Sequence, residues 1–212
     1  MKLLRTNMIL LAAIAVLASC GSTGAKQKTD VLDHKGASMG IPLPAWLSAY
    51  VSGGNQAVEA LPEYKNQTCF VASFIDADRD FAIGMAESAN GPALVAQMIA
   101  TTVSADAESR RQAVRGDEQV SAAFTQAAES MSNASYTGLR KAADWWMITR
   151  NKSTKVQEAH AYVLYTIDKQ QLNDQIARNL TNIMENNKAL SAAEREIYRD
   201  LIAHIRSGGF KH

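Results

Sequence analysis

The hydrophobic positions of this chain change period along its length, and each change predicts an element. Trp46, Leu47, Tyr50 and Val51 recur at helical spacing and predict one short helix, stopped by Gly53-Gly54. Thr68 to Ile75 is rich in β-formers and reads as a strand. The polar stretch Asp76-Ala77-Asp78-Arg79-Asp80 reads as a turn. Phe81-Ala82-Ile83-Gly84-Met85-Ala86 then alternates large with small residues, which predicts a second strand and a hairpin. One long helix starting at Asp80 is the competing reading, and Gly84 weighs against it.

Asn90-Gly91-Pro92 marks a helix start, with Pro in the first turn. Val95, Ile99 and Val103 follow at i, i+4 and i+8. A second helix is predicted from Asp117 to Met131, with Val120, Phe124, Ala127, Ala128 and Met131 on one face. Leu139 to Thr149 and Val156 to Ile167, separated by the polar loop Arg150-Asn151-Lys152-Ser153-Thr154, predict a long aromatic hairpin. Asp168 caps the next helix, whose apolar stripe is Leu172, Ile176, Leu180, Ile183 and Met184. Ser191 and Glu194 form a capping box for the last one, which carries Ile197, Tyr198, Leu201, Ile202 and Ile205 and ends at Gly208-Gly209. The predicted fold is α+β, a small antiparallel sheet of two hairpins packed on one face against helices, in the order ββααββαα.

The first twenty residues stand apart. Lys2 and Arg5 form a short basic region, and Met8 to Ala18 is an unbroken apolar run. The run is too short to span a bilayer and suits a signal-peptide core. It ends in Leu17-Ala18-Ser19-Cys20, which resembles the bacterial lipobox. Leu17, Ala18 and Ser19 are then the signal-peptidase recognition residues, and Cys20 is the lipidation site. A covalent diacylglycerol and an N-acyl chain on Cys20 would bury methylenes at ~0.8 kcal/mol each, enough for durable anchoring. The chain thus divides into a signal peptide (1–19), a lipidated cysteine with a flexible tether (20–40) and one α+β domain (41–212). Gly21, Gly24, Gly36 and Gly40 among polar residues support the tether. Position 21 is Gly and not Asp, and no acidic cluster follows Cys20, so sorting rules point to the outer membrane and its periplasmic face, with the cell surface as the alternative.

Removing residues 1–19 lowers Lys plus Arg from 22 to 20 against 21 Asp plus Glu, leaving −1. A near-neutral chain argues against nucleic acid and against a polybasic membrane patch. With Cys20 lipidated, Cys69 is the one remaining cysteine, so disulfide frameworks and Cys-based zinc sites are excluded by count. Cys69 lies in an apolar stretch and reads as a buried, inert thiol.

Candidate chemistry is sparse. His34, His160, His204 and His212 include no pair at helical metal-site spacing. His34 falls in the tether, His212 is the final residue, and His204 faces water. There is no phosphate-cradling glycine loop, and the one stretch spelled Gly-x-Ser-x-Gly, Gly36-Ala37-Ser38-Met39-Gly40, falls within the tether. Asp76, Asp78 and Asp80 alternate like the start of a calcium loop, but the loop glycine and distal Glu are missing, so a solvated turn is the better reading. The Asn-x-Ser/Thr sequences at Asn66, Asn133, Asn151 and Asn179 are chance matches. No catalytic constellation and no cofactor other than the lipid is indicated.

Trp145-Trp146 is the most conspicuous pair. Adjacent strand residues face opposite sides, so one ring enters the core and the other faces water, a partner or a ligand. Trp46, Tyr162 and Tyr165 could join an aromatic surface with them, suited to a protein partner or a stacked sugar. The competing reading has helices on both sides and both rings in the core. The lipobox, Pro44-Ala45-Trp46, the stretch Phe81-Ala82-Ile83-Gly84-Met85-Ala86, the alanines Ala93, Ala96 and Ala100, and the Trp145-Trp146 strand resemble the Lpp-twenty family of bacterial outer-membrane lipoproteins. The likeness covers residues 44–168. It implies a small α+β domain at the outer membrane and transfers no active site. On these grounds the expected function is a non-enzymatic structural or protein-interaction module, with glycan or peptidoglycan binding through exposed aromatics as the alternative.

Overall fold

A computed structural model describes residues 29–36, 43–87, 90–114 and 128–208. The expected signal peptide and lipobox with Cys20, and residues 117–127 of the expected Asp117–Met131 helix, lie outside the described residues. Residues 128–132 are helical, and Met131 is fully buried.

One antiparallel sheet organises the domain, built from β1 (Thr29–His34), β2 (Gln67–Asp76), β3 (Arg140–Asn151) and β4 (Gln157–Asp168) in the order β1-β3-β4-β2. The α+β class is as the sequence predicts, and so are the β3–β4 hairpin and β2. The helices are α1 (Ala45–Glu59), α2 (Arg79–Glu87), α3 (Asn90–Val114), α4 (Lys169–Asn186) and α5 (Ala192–Arg206). β4 lies between β3 and β2, and every residue from Ala159 to Ile167 is buried.

Three expectations are corrected. Phe81 to Ala86 belongs to α2, a helix and not a strand. The Asp78 side chain accepts the Phe81 N–H at 2.8 Å, an N-cap, while Asp76 closes the preceding turn by accepting the Asp78 N–H at 3.0 Å. Ala82 and Ala86, at i and i+4, are fully buried and let the helix lie close to the sheet. A Cβ at Gly84 would meet nothing, so its cost there is only the intrinsic ~1 kcal/mol. β2 therefore forms no hairpin with 81–86. It pairs with β4, Gln67 opposite Asp168 through Asp76 opposite Ala159.

The second correction concerns the tether. Thr29–His34 is a strand that pairs with β3 from Thr29 opposite Asn151 to His34 opposite Met147. Its signal is hidden because Thr-Asp-Val-Leu-Asp-His has no apolar alternation, and the strand is defined by its partner's free edge. The third is the covering of the sheet. Helices lie on both faces. The expected stop at Gly53-Gly54 is present inside the α1 span: both glycines are non-helical, with Gly54 at φ 69°, and a second helical segment continues to Glu59.

The larger core joins Phe70, Ala72, Ala161, Val163, Tyr165 and Ile167 of the sheet to α2–α5. The predicted α5 stripe is buried, as are Leu172, Ile176 and Leu180 of the α4 stripe, with Ile183 and Met184 partly buried, and the Ser191–Glu194 capping box is formed in both directions, at 3.2 and 2.6 Å. Asp168 accepts from the Gln171 N–H at 2.9 Å, while the Gln171 side chain donates to the Thr137 carbonyl instead of closing a box.

Both sheet edges are guarded against further pairing. On β2 the outward N–H groups of Cys69 and Val71 donate to Glu59 Oε1 (2.9 Å) and Asn55 Oδ1 (3.1 Å), two side chains one turn apart on α1. On β1 a register shift between Val31 and Asp33 leaves Leu32 as a bulge, with Asp30 and Asp33 on either side.

Candidate functional site

Strand geometry sends the two adjacent tryptophans to opposite faces of the sheet. Trp145 points under α1. It packs with Trp46, Leu47, Val58, Cys69, Val71, Met147, Tyr162 and Leu164 in a second, smaller core. Trp46, Trp145 and Tyr162 are 6%, 7% and 6% exposed. These three residues meet as anticipated, but as core, so the expectation of a surface built from them is corrected. Tyr165, on the opposite face, is also buried. The Trp145 ring lies 6.4 Å from Tyr162 and stacks on His34 of β1 at 5.9 Å. Burial pushes the Tyr162 hydroxyl up to about 12, with Tyr50 adding to it.

Trp146 emerges on the other face and is half-buried. It lies opposite Ala161 of β4, and Ala161 lies opposite Phe74 of β2. Trp146 and Phe74 therefore flank a small residue on one face, and the first turn of α2 closes over the gap. The Arg79 guanidinium sits 4.9 Å above the Trp146 ring, and Phe81 meets Phe74 edge-on at 6.1 Å. Phe81 is 52% exposed. The result is a partly exposed aromatic ridge with a cation on it. Arg79 also bonds Asp80 at 2.8 Å, so that guanidinium is held in place.

Ion pairs tie β3 to the chain around it and to α2. Asp144 accepts from Lys35 through Oδ2 and from Lys141 through Oδ1 (3.0 Å), and Lys141 reaches on to Glu87 at the end of α2. Burial pushes the Asp144 carboxyl up, but the hydrogen bonds from Lys35 and Lys141 outweigh it and leave the group below its ordinary range. Tyr165 fixes the same end of α2, its hydroxyl lying 3.1 Å from both the Ala86 and Glu87 carbonyls. Gly91, which opens α3, lies against that hydroxyl with no room for a Cβ.

The remaining candidates resolve into structure. Asp76 and Asp78 are turn and cap ligands and Asp80 binds Arg79. Among the described residues no cluster of His, Cys, Asp and Glu could hold a metal. Cys69 is fully buried, as predicted, and burial first, with Glu59 adding and Lys169 opposing, pushes its thiol up to about 12. His204 lies 3.7 Å from Asp106 and is partly exposed. His160 is 4% exposed beneath the α1 face of the sheet, with Nε2 3.1 Å from the Thr149 hydroxyl and no hydrogen-bond partner for Nδ1.

Burial depresses the His160 pKa below 6.5, and the Glu158 carboxylate opposes this incompletely. The unfolded chain therefore binds this proton more readily than the folded one. Stability is fully present above pH 6.5 and falls as pH drops through the depressed native value. Urea midpoints should decline between pH 7 and pH 5 in the native protein and stay flatter over that window in His160→Leu. The carboxylate of Asp144 acts in a separate window, below its ordinary 3.8. Equal slopes in both proteins would refute this assignment.

A shallow groove of about 600 Å³ runs along α4, lined by Ser130, Asn179, Asn182, Asn186 and Asn187 among others. Three of the asparagines recur at i, i+3 and i+7, on one face of the helix. The groove offers carboxamides, which both donate and accept, and no acid or base among its lining residues. Sequence reasoning missed it, because asparagines scattered through an amphipathic helix read as its solvent face. No helix among the described residues is long and apolar enough to cross a membrane. The chain matches no protein-family model, no curated protein and no solved structure.

Proposed function

We propose that this protein is a lipid-anchored lipoprotein of the cell envelope, of the Lpp-twenty type, acting as a non-enzymatic protein-interaction module at the periplasmic face of the outer membrane. Leu17-Ala18-Ser19-Cys20 supports the anchor. The ridge of Trp146, Phe74 and half-exposed Phe81 beneath Arg79 is the observation that carries the interaction reading. Tryptophan and arginine are the residues most enriched where interfaces concentrate their energy. Here they sit on a frame held by ion pairs, so little ordering entropy is lost on docking.

A second reading, glycan binding, is favoured by the asparagine groove on α4. Neutral, hydroxyl-rich chains suit carboxamides that donate and accept, and no aromatic platform built from Trp46, Trp145 or Tyr162 is needed.

The test is co-purification from detergent-solubilised membranes after in-cell crosslinking. A stoichiometric protein partner is expected with the native chain. Truncating an interface anchor costs about 2 kcal/mol or more, so Phe81→Ala should lower partner affinity by roughly 30-fold. Cys20→Ala should leave the protein soluble or unprocessed. Retention of the partner by Phe81→Ala and Trp146→Ala alike would overturn the ridge as the docking site. No partner, together with binding to isolated peptidoglycan, would favour the groove instead.

A further inference from the structure

We propose that the β3–β4 hairpin tip, residues 151–156, is the membrane-facing end of the domain and rests on phospholipid headgroups. The inference builds on the lipid-anchor reading. Its basis is the register of β1. Thr29, the first described residue after Cys20, pairs with Asn151, and Asp30 pairs with Arg150. The anchored chain therefore enters the domain beside the hairpin tip. Nine Cα steps separate Cys20 from Thr29, which span about 30 Å at most. β4 runs twelve residues from the tip to Asp168, nearly 40 Å of strand. The far end of the sheet, at Gln67, Arg140 and Asp168, lies beyond the reach of the anchor when the strands stand upright.

The chemistry of the tip fits a headgroup layer. Lys152 and Lys155 are exposed, and Val156, the last residue of the tip before β4, is 53% exposed. Val31, on the neighbouring strand, is 50% exposed. The charges at this end are Arg150, Lys152 and Lys155 against Asp30 and Glu158, with Lys152 bonded to Asp30 at 3.1 Å. The surplus is one positive charge, consistent with light contact to phosphates and not with a polybasic patch. The tip is preorganised. Asn151 Oδ1 accepts the N–H groups of Ser153 and Thr154, and Lys155, at φ 59°, donates its N–H to the Asn151 carbonyl at 2.9 Å. Each contact is weak, but the covalent anchor makes it intramolecular at high effective concentration.

The experiment places a fluorescent amino acid at position 154, at the tip, or at position 63, an exposed site near the opposite end of β2. The lipoprotein is reconstituted into phosphatidylethanolamine–phosphatidylglycerol vesicles containing brominated lipid. Quenching at position 154 should exceed that at position 63 several-fold, and Lys152→Glu with Lys155→Glu should reduce it. Equal quenching at both sites, or more at position 63, overturns the proposal. The mass of the amino-terminal peptide reports lipidation independently. If Cys20 proves unmodified, the anchor reading fails by itself, and coupling Cys20 to a maleimide lipid puts the same geometry to the same test.

Discussion

Trp145→Ala is expected to cost about 3–5 kcal/mol of folding stability, the range for emptying a buried tryptophan site. Trp146→Ala, one residue along, is expected to cost about 1–2 kcal/mol, chiefly a surface cation–π contact worth ~0.5–1 kcal/mol and some half-buried packing. The contrast follows from the two faces of β3. Trp145 fills the core under α1 with Trp46, Tyr162 and Leu164, and His34 stacks on its edge. Trp146 has Arg79 above it and is only half-buried. For a chain of this size each kcal/mol moves Tm by about 2–4 °C. Thermal unfolding should thus separate the two variants plainly, while the partner-binding defect runs the other way. Similar Tm losses in both would mean that the ridge is core and that no docking surface exists there.

Gly91→Ala is the second change with a large expected effect. A Cβ at this position would lie 2.2 Å from the Tyr165 hydroxyl and 2.6 Å from the Ala86 carbonyl oxygen. Neither can yield freely, because that hydroxyl is bonded to the carbonyls that end α2. The cost should be about 1–3 kcal/mol, the usual range for overpacking, and toward its upper end because a backbone atom is one of the obstacles. Tyr165→Phe alone removes the one hydroxyl donor shared between the Ala86 and Glu87 carbonyls and should cost about 1 kcal/mol. In the Gly91→Ala background the same change also removes the nearer clash, so the double variant should be more stable than the sum of the two predicts. Strict additivity in urea unfolding would show that Gly91 and Tyr165 are not packed as described.

The parts of this fold that were legible in the sequence are those whose signal is local. β3 and β4 carry runs of β-formers, and α4 and α5 carry complete apolar stripes with caps. Each lies within two residues of its expected bounds. α2 was misread because Phe81, Ile83 and Met85 alternate with Ala82, Gly84 and Ala86, a pattern that serves either period. The deciding signal was Asp78, three residues before Phe81, where it caps a helix. β1 was not legible, because its pairing to the edge of β3 spans more than a hundred residues of chain. The tryptophan pair shows the same division. That the two rings part follows from strand geometry alone. Which ring is buried depends on α1 crossing the second face, and that is long-range information. Trp146 could be nominated from sequence. Arg79, Phe74 and Phe81 could not, since they meet it only once α2 folds back over the sheet.

These features make the aromatic ridge a surface set by tertiary structure, close to a guarded sheet and, if the anchor is as proposed, close to a membrane. The most direct measurement is photo-crosslinking in cells, with a photoreactive amino acid replacing Phe81 on the ridge or Lys188, an exposed residue in the α4–α5 loop. The account predicts one discrete crosslinked protein species from position 81, lost on Arg79→Ala with Trp146→Ala, and none of that size from position 188. A species captured equally from both positions, or none from position 81 in cells that make normal amounts of the protein, would contradict it.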